Sequence, residues 1–389
     1  MKIAYFTDTY IPQVNGVTYV VDTHSRLLSK KNRVRIYTPS YKLKKSIKKQ
    51  NNGNLIIEGC PSSPLAYYKD VHVSLVNLPG MIKSVKKFNP DIIHFHSPLT
   101  IGVSAIIIAK RLKKPLVATY HTLWSETIPP IPPFNLIDKF FKAENGEIDI
   151  LRKTIWKVSN KIFDYCDVII SPSEVIKKEL QTHNHKGNIV VISNGVDTHK
   201  FTAKTRTKTN FKILYVGRLG HEKGVDVVIK AFARVIKEFP QAKLEIVGDG
   251  PVAETLKDLT KKLRLTKSVV FHGYVPREKI VSYYKECDVF ATASVMEVQP
   301  LTILEAMSCS LPVIGVKKAG VSGMIKDNFN GYLISKPDEK EMANKIAKIL
   351  SDDKLRIRLS RNSRKMAKKN SLILSTGKLE NLYKRIIQK

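Results

Sequence analysis

The stretch FKILYVGRLGHEKG, residues 211 to 224, predicts a β-strand and the turn that follows it. Its first half is a short apolar run of the kind that forms a buried strand. Its second half places three glycines around Arg218 and Lys223. Glycines let a backbone approach a ligand closely, and cations beside a helix N-terminus suit a phosphate. The stretch therefore predicts a phosphate site at the end of a strand, with an ordinary turn carrying surface charges as the alternative.

The rest of the C-terminal half repeats this alternation of short apolar runs with stretches of helical period. Strands that alternate with helices predict a parallel sheet covered by helices on both faces. We therefore expect a doubly wound α/β domain here. Its predicted strands are FKILYVG (211–217), AKLEIVG (242–248), VVFHGYV (269–275), DVFATAS (288–294) and LPVIGV (311–316).

The N-terminal half shows the same alternation and predicts a second domain of the same α/β class. Two such domains in tandem leave a cleft between them, which the carboxyl ends of both sheets can face. The predicted strands of the N-terminal half are KIAYFT (2–7), RVRIYTP (33–39), DIIHFH (91–96), PLVATYHT (115–122) and DVIISPS (167–173).

The boundaries of the two domains follow from composition. We place the first domain at residues 1–195 and the second at residues 196–370. The polar stretch 198–210 lacks periodicity and is the predicted linker. The basic tail, residues 371–389, has a helical pattern, and we expect this helix to pack back on the first domain.

Composition and charge narrow the class of protein. The 66 basic and 34 acidic residues give a formal charge of +32, which suits nucleic acid, anionic lipid or an acidic small molecule, with a compositional habit as the alternative. Four scattered cysteines suggest neither a disulfide framework nor a zinc site. The sequence has no signal-peptide core and no apolar run approaching the roughly 20 residues of a membrane span. We therefore expect a cytoplasmic protein, at most peripheral to a membrane.

Two isolated carboxylates stand out against this basic background. Glu297 follows a predicted strand, and Glu305 lies about one turn into the helix that begins at LTILEAMS. Their spacing does not match a metal site, and carboxylates do not help to bind phosphate. A carboxylate can instead accept two hydrogen bonds from a vicinal diol, as on a sugar ring or a ribose. The pair therefore predicts contacts with hydroxyl groups.

Taken together, these motifs resemble one enzyme family. Glu297 and Glu305, preceded by VGRLGHEKG and followed by AMSCSLPVIG, are similar to the retaining glycosyltransferases of family 4. The N-terminal TDTYIPQVNGV (7–17) resembles the opening loop of the same family. The resemblance runs in order from residue 2 to about residue 350. It implies the GT-B fold, in which two doubly wound, Rossmann-like domains face each other across a cleft.

The resemblance implies a nucleotide-sugar donor, UDP-glucose or GDP-mannose, bound mainly by the second domain. It assigns the donor sugar to Glu297, the ribose diol to Glu305, and the diphosphate leaving group to Arg218 and Lys223. Fixed cations lower the barrier most where negative charge grows in the transition state. It also implies front-face attack with retention, in which the leaving phosphate helps to deprotonate the acceptor hydroxyl. No metal ion or other cofactor is then required, and no side chain acts as the nucleophile.

Two backbone segments of the second domain are expected at the same site. The stretch from Gly273 to Val275 ends a strand and suits the nucleotide base, and the N–H groups of Leu301 and Thr302 at a helix start suit the diphosphate. The sequence departs from the family between Glu297 and this helix. Where many members continue with proline, phenylalanine and glycine, this chain has Val298 to Thr302 as VQPLT, which leaves the identity of the sugar open.

The first domain is expected to contribute to the site from two places. Asn15 and Gly16 open the first long helix, where backbone N–H groups suit the donor phosphates or sugar. An N-cap by Asn15 with glycine for the turn is the alternative. His121 ends a predicted strand, and the resemblance places it near the donor sugar and the acceptor hydroxyl. A lone histidine is more often structural.

The acceptor is predicted less directly. The opening loop and the segment after His121 resemble enzymes that glycosylate lipids such as diacylglycerol. Residues 29–50 hold nine basic residues and no acidic one, and residues 75–88 form a basic amphipathic stretch. Such groups suit an anionic membrane surface, with a solvated basic surface as the alternative. The proline-rich segment 124–141 is expected at the mouth of the acceptor site, as a seat for an acyl chain or as a hydrophobic lid.

The leading hypothesis is therefore a hexosyltransferase that acts on a lipid hydroxyl at the inner membrane surface. A second hypothesis keeps the chemistry and uses a soluble or cell-surface polysaccharide as acceptor. A third, from another class, is a basic nucleic-acid-binding protein. The basic stretches lack interleaved aromatic residues and show no recognition motif, which argues against the third hypothesis.

Overall fold

The structure is a computed structural model that describes residues 1–65, 68–127, 147–202 and 209–388. Most of the proline-rich segment 124–141 lies outside the described residues. The chain divides into two compact units. The first comprises Met1–Asn194 together with Leu372–Lys389, and the second comprises Gly195–Ser371.

Within its described residues, the first unit contains an eight-stranded sheet and a separate two-stranded hairpin. The sheet has the order β10-β9-β8-β7-β1-β2-β4-β3, and all its neighbouring strands are parallel except β3, which runs antiparallel to β4. Strands β5 and β6 form the hairpin. The bounds are β1 Lys2–Phe6, β2 Arg33–Pro39, β3 Ser46–Gln50, β4 Leu55–Cys60, β5 Ser62–Leu65, β6 Tyr68–Ser74, β7 Ile92–Phe95, β8 Leu116–Thr119, β9 Val168–Ser171 and β10 Ile189–Val191.

The second unit contains a six-stranded parallel sheet in its described part, with the order β13-β12-β11-β14-β15-β16. The chain builds this sheet outward from β11 in one direction and then returns to β14 on the other side of β11. The bounds are β11 Lys212–Val216, β12 Lys243–Val247, β13 Val269–Phe271, β14 Val289–Ala291, β15 Val313–Val316 and β16 Gly331–Ile334.

Helices connect most strands of both units, as the alternating pattern predicts, whereas β2 to β6 follow one another without an intervening α-helix. In the central strands nearly every side chain is buried, since helices cover both faces of a parallel sheet. The described helices are α1 Gly16–Leu28, α2 Leu78–Phe88, α3 Thr100–Leu112, α4 Trp124–Thr127, α5 Glu147–Phe163, α6 Glu174–Thr182, α7 Val225–Glu238, α8 Ala253–Lys262, α9 Ile280–Glu286, α10 Leu301–Ser308, α11 Ala319–Ser322, α12 Glu339–Ser351, α13 Asp353–Lys369 and α14 Leu372–Ile387. No described helix is long and apolar enough to cross a membrane.

The last helix, α14, belongs to the core of the first unit. Leu379, Leu382 and Tyr383 pack with Ile3 and Tyr5 of β1 in one buried cluster. Tyr383 is fully buried, and its hydroxyl lies 3.0 Å from that of Tyr5. The C-terminal helix therefore covers part of the sheet to which the N-terminal strand belongs.

The start of the predicted linker packs on the second unit. Phe201 is fully buried there, and its carbonyl accepts hydrogen bonds from Ser308 Oγ at 2.6 Å and from Arg364 Nη1 at 2.7 Å. Arg364 also donates to the carbonyl of Thr198 at 3.0 Å. Residues 198–201 are thus an anchored part of the second unit, because one aromatic side chain outweighs the polar composition of its neighbours. Residues 203–208 lie outside the described part of the chain.

Candidate active site

The strongest site candidate lies where the strand order of the second sheet reverses. Strands β11 and β14 are neighbours, but the chain leaves them toward opposite edges of the sheet. Loops that leave adjacent parallel strands in opposite directions open a crevice at the carboxyl ends, and this is where α/β sheets bind ligands. The loop after β11 carries Lys223, and the loop after β14 carries Glu297.

The side chains of these two loops meet. Lys223 Nζ lies 2.6 Å from Glu297 Oε1, and each side chain is 22% exposed. Ser294 Oγ donates a hydrogen bond to the same carboxylate oxygen at 3.1 Å. All the described hydrogen bonds to the Glu297 carboxylate reach Oε1, so Oε2 is left to accept a ligand hydroxyl. Sequence reasoning predicted Lys223 and Glu297 but missed Ser294, whose residue type alone carries no signal.

Glycine allows the two loops to approach each other. Gly224 has φ +61°, and a Cβ atom there would lie 2.8 Å from the Cβ of Ala293, in the loop that follows β14. A side chain at this position would therefore be strained and would also push the loops apart. Gly224 in this way sets the distance at which Lys223 can reach Glu297.

The second predicted cation, Arg218, remains on the surface. Its side chain is exposed, and among the described residues no carboxylate pairs with it. The Arg218 carbonyl accepts a hydrogen bond from the buried Tyr215 hydroxyl at 3.1 Å, which holds the turn after β11. The guanidinium is thus available to an anionic ligand, and its contact with a diphosphate stays a prediction.

The turns after β11, β12 and β13 lie side by side. Gly217 N–H donates to the Val247 carbonyl at 3.0 Å, and Gly248 N–H donates to the Gly273 carbonyl at 2.8 Å. A Cβ atom on Gly248 would lie 1.9 Å from the carbonyl oxygen of Gly217, so only glycine fits there. Gly273 and Val275 are partly exposed at this edge. Their contact with a nucleotide base stays a prediction.

Glu305 has a different environment from Glu297. It is 1% exposed in helix α10, and its Oε2 accepts a hydrogen bond from the Tyr284 hydroxyl at 2.9 Å. Its Oε1 pairs with the guanidinium of Arg277, which also lies over the ring of Phe201. Each oxygen of Glu305 therefore already accepts from one protein donor, and a ribose hydroxyl would have to share an oxygen with Arg277 or Tyr284. The ribose role of Glu305 therefore stays a prediction, and the structure adds Arg277 and Tyr284 as partners that sequence reasoning missed.

The start of helix α10 fits the expected phosphate contact in part. Pro300 is the N-cap residue, and it provides no side-chain hydrogen bond to the first turn. Leu301 is largely buried and Thr302 is partly exposed. The N–H groups of a first turn need partners from outside the helix. Their predicted contact with a diphosphate is not contradicted by their local geometry.

In the first unit, Asn15 caps helix α1. Its side chain accepts a hydrogen bond from Thr18 N–H at 2.9 Å and donates to Thr9 Oγ1 at 2.7 Å. This confirms the structural alternative stated for Asn15. Gly16 is exposed at the first position of the helix, and its contact with the donor stays a prediction.

Asp8 fixes the loop after β1, which sequence reasoning did not anticipate. Its buried carboxylate accepts hydrogen bonds from the Ser97 and Thr100 hydroxyls and from three backbone N–H groups at the start of α3. A carboxylate at a helix N-terminus satisfies N–H groups that have no partner within the helix. Asp8 thereby ties the end of β1 to the helix that follows β7.

His121 lies beside another histidine. Its Nε2 is 3.1 Å from Nδ1 of His96, a residue that sequence reasoning placed only within a strand. Burial lowers the pKa of His121 to about 3, and it lowers the pKa of His96 as well. Both rings are therefore neutral at physiological pH, and His121 does not act as a fixed positive charge.

Comparison with known proteins decides the family. Residues 197–366 match the family "Glycosyl transferases group 1", and residues 14–200 match the family "Glycosyltransferase Family 4". A protein of Streptococcus pneumoniae named alpha-monoglucosyldiacylglycerol synthase is 30% identical over 86% of this chain and 75% of its own length. The chain belongs to this glycosyltransferase family.

Two further similarities agree with the family and the fold of this glycosyltransferase. A protein of Acholeplasma laidlawii with the same name is 25% identical over 100% of this chain and 98% of its own length. The crystal structure of Anabaena HepE in complex with UDP-glucose is 18% identical and has a TM-score of 0.74, covering 99% of this chain and 100% of that one. The fold is therefore GT-B, as expected. The nucleic-acid-binding hypothesis, which rested on charge alone, gains no support.

The buried histidines predict how the stability of this glycosyltransferase depends on pH. Burial lowers the pKa of His24 to about 4 and the pKa of His121 to about 3, while unfolded histidines bind protons below roughly pH 6.5. The unfolded state therefore binds more protons between these values. The free energy of unfolding should fall as the pH falls from about 6.5 to 4, by up to about 1.4 kcal/mol per pH unit for each such histidine. Urea unfolding at pH 7, 6 and 5 measures this.

Two matched variants isolate the effect of one histidine. His24→Gln removes a buried titrating group, so the slope of unfolding free energy against pH should decrease. His199→Gln changes an exposed histidine and should leave the slope unchanged. Equal slopes in both variants would contradict the prediction, whatever the absolute stability of either protein.

Proposed function

We propose that this glycosyltransferase moves a glucosyl group from UDP-glucose to a hydroxyl of a lipid such as diacylglycerol, with retention of configuration. The observation that carries the proposal is the cluster of Lys223, Glu297 and Ser294 at the switch point of the second sheet. The names of the similar proteins from Streptococcus pneumoniae and Acholeplasma laidlawii, and the UDP-glucose bound in HepE, support the choice of substrates.

On the donor side, the cluster separates two tasks. Lys223 donates one of its three N–H groups to Glu297, and the other two can donate to the diphosphate. The exposed Arg218 adds a guanidinium, whose planar N–H groups suit phosphate oxygens. These cations would neutralise the charge that grows on the leaving group as the glycosidic bond breaks. The reaction then needs no metal ion.

On the sugar side, Glu297 positions rather than attacks. Its Oε1 is held by Lys223 and Ser294, which fixes the orientation of the carboxylate. The remaining oxygen, Oε2, would accept a hydrogen bond from a sugar hydroxyl. Nucleotide-linked glucose has the α configuration, and the relatives' names specify an alpha product, which supports retention. In front-face attack the acceptor oxygen bonds to the anomeric carbon as the bond to the diphosphate breaks, and the leaving phosphate takes the acceptor proton, so neither an enzyme nucleophile nor an enzyme base is needed.

The lipid acceptor is supported by the surface of the first unit. Strand β3 forms one edge of the sheet, and its Lys48 and Lys49 are exposed beside Ile47, which is 59% exposed. The preceding loop exposes Leu43 between lysines. Exposed apolar side chains among cations suit an anionic bilayer, where each well-placed lysine contributes about 1 kcal/mol. We therefore place the enzyme at the inner surface of the membrane, as a peripheral protein.

Removing either member of the Lys223–Glu297 pair should abolish most transfer. Lys223→Met and Glu297→Gln should each lower kcat by about 100-fold or more, since the first removes a cation that stabilises the leaving group and the second removes the carboxylate that orients Lys223 and the sugar. Steady-state kinetics with UDP-glucose and diacylglycerol in mixed micelles measure this. Lys230→Met is the matched control, because Lys230 forms an exposed ion pair with Asp226 on helix α7. Equal activity in Lys223→Met and Lys230→Met would contradict the proposed role.

A donor panel tests the substrate. UDP-glucose and GDP-mannose, each with and without diacylglycerol, should give a lipid product with UDP-glucose, and EDTA should not change the rate. A lipid product formed with GDP-mannose but not with UDP-glucose would show that the proposed donor is wrong. Loss of activity in EDTA, restored by a divalent cation, would contradict metal-free catalysis.

Membrane binding is tested by flotation with liposomes. The wild type should float with vesicles that contain anionic lipid and should float less as salt rises, since salt screens surface charges. Lys48→Glu combined with Lys49→Glu should weaken flotation. The control is Lys257→Glu combined with Lys261→Glu, which changes the charge equally on helix α8 of the second unit. No flotation of the wild type at moderate salt would favour a soluble or polysaccharide acceptor.

A further inference from the structure

A buried row of rings in the first unit links the C-terminal helix to His121. The Tyr383 hydroxyl of helix α14 lies 2.5 Å from Nδ1 of His94. The ring of His94 lies over that of His96, with centroids 4.2 Å apart. Nδ1 of His96 then lies 3.1 Å from Nε2 of His121. The row starts in the hydrophobic core and ends at the residue expected to meet the substrate.

The two ends of the His96 ring have unequal surroundings. His96 is 3% exposed. Its Nδ1 faces His121, whereas its Nε2 is buried and has no hydrogen-bond partner among the described residues. A neutral imidazole carries one N–H, and its other nitrogen is an acceptor. The position of that single proton therefore decides the direction of the bond between the two histidines.

One position of the proton costs less than the other. If the N–H of His96 were on Nε2, a buried donor would be without a partner, which is rare in folded proteins. If it is on Nδ1, His96 donates to Nε2 of His121, and the unpaired atom is Nε2 as an acceptor, which costs less free energy to bury than an unpaired N–H. His121 must then carry its own proton on Nδ1. Burial lowers the pKa of both rings, which disfavours a second proton on either of them at neutral pH.

We infer that His96 holds His121 in the Nδ1–H tautomer, so that His121 is a hydrogen-bond donor toward its ligand and not a base. The ligand, a hydroxyl oxygen of the donor sugar or of the acceptor, rests on the proposed function. A donor at this point can orient a hydroxyl but cannot take its proton. The acceptor proton is left to the leaving phosphate, as front-face attack requires.

The remaining rings hold His96 in place. His94 has both nitrogens occupied, by Tyr383 and by the Thr119 hydroxyl at 2.8 Å. Tyr5 packs its ring edgewise against both His94 and His96, and its hydroxyl lies 3.0 Å from that of Tyr383. His96 is therefore clamped between fixed rings. It is a positioning residue, and Tyr383 supports it from the last helix of the chain.

The tautomer can be observed directly. The full-length protein, labelled with nitrogen-15 in its histidines, is measured at pH 7 by long-range proton–nitrogen correlation, which distinguishes a protonated from an unprotonated ring nitrogen. The signals of His121 are identified by their loss in His121→Gln. We expect a protonated Nδ1 and an acceptor-type Nε2. A protonated Nε2 in the wild type overturns the inference.

Two substitutions at position 96 test the cause. Asn places an amide N–H near the position of Nδ1, so His96→Asn should keep the tautomer of His121 and most of the activity. His96→Leu removes the donor, so His121 should populate both tautomers, and kcat should fall by about tenfold with little change in KM. An unchanged tautomer in His96→Leu overturns the inference. If His96→Leu does not fold, the tautomer of His121 in the wild type still decides the question.

Failure of this inference differs from failure of the proposed function. The tautomer is measured without substrate, whereas the proposed function is measured by transfer from UDP-glucose to diacylglycerol. A protonated Nδ1 in a protein that does not transfer glucose to lipid would support the positioning by His96 and reject the proposed substrates. A protonated Nε2 in an active enzyme would reject only the inference.

Discussion

The candidate site of the second unit depends on the contact between Lys223 and Glu297, which exists only because β11 and β14 are neighbours. The two residues lie 74 positions apart in the chain and 2.6 Å apart in space. A sheet that added its strands in simple sequence order would put β12 and β13 between their loops. The reversal of strand order after β13 therefore creates the site, and Gly224 allows the loops to close on it.

That contact also explains how a strongly basic protein keeps a partly buried carboxylate beside the cation of its candidate site. If they were unpaired, the partly buried Lys223 and Glu297 would each lose hydration free energy without compensation. Together they satisfy each other, and each keeps hydrogen-bonding capacity toward a ligand. Glu305 shows the contrasting case, because its complete burial requires that Arg277 and Tyr284 occupy both of its oxygens. Two acids eight positions apart therefore have different chemistry.

The sequence predicted what local pattern controls. Apolar runs located β1 and β11, and the glycine-rich turn and the acidic pair located Lys223 and Glu297. Strand β3 was not predicted, because SIKKQ is polar and becomes a strand only by pairing with β4. Ser294, Asp8 and His96 were also missed, since their roles come from partners that are distant in sequence. A buried Phe201 likewise outweighed the polar composition of the predicted linker.

The C-terminal helix shows why such distant partners matter for chemistry as well as for stability. Helix α14 begins directly after the second unit ends, yet its side chains complete the core of the first. Without Tyr383, the hydroxyl of Tyr5 and Nδ1 of His94 would both lose a buried hydrogen-bond partner. The His94 ring, which lies against His96, would then hold an unpaired buried nitrogen, and its position would be less firmly fixed. The last helix is thus connected, through hydrogen bonds and ring contacts, to the residue that sets the tautomer of His121.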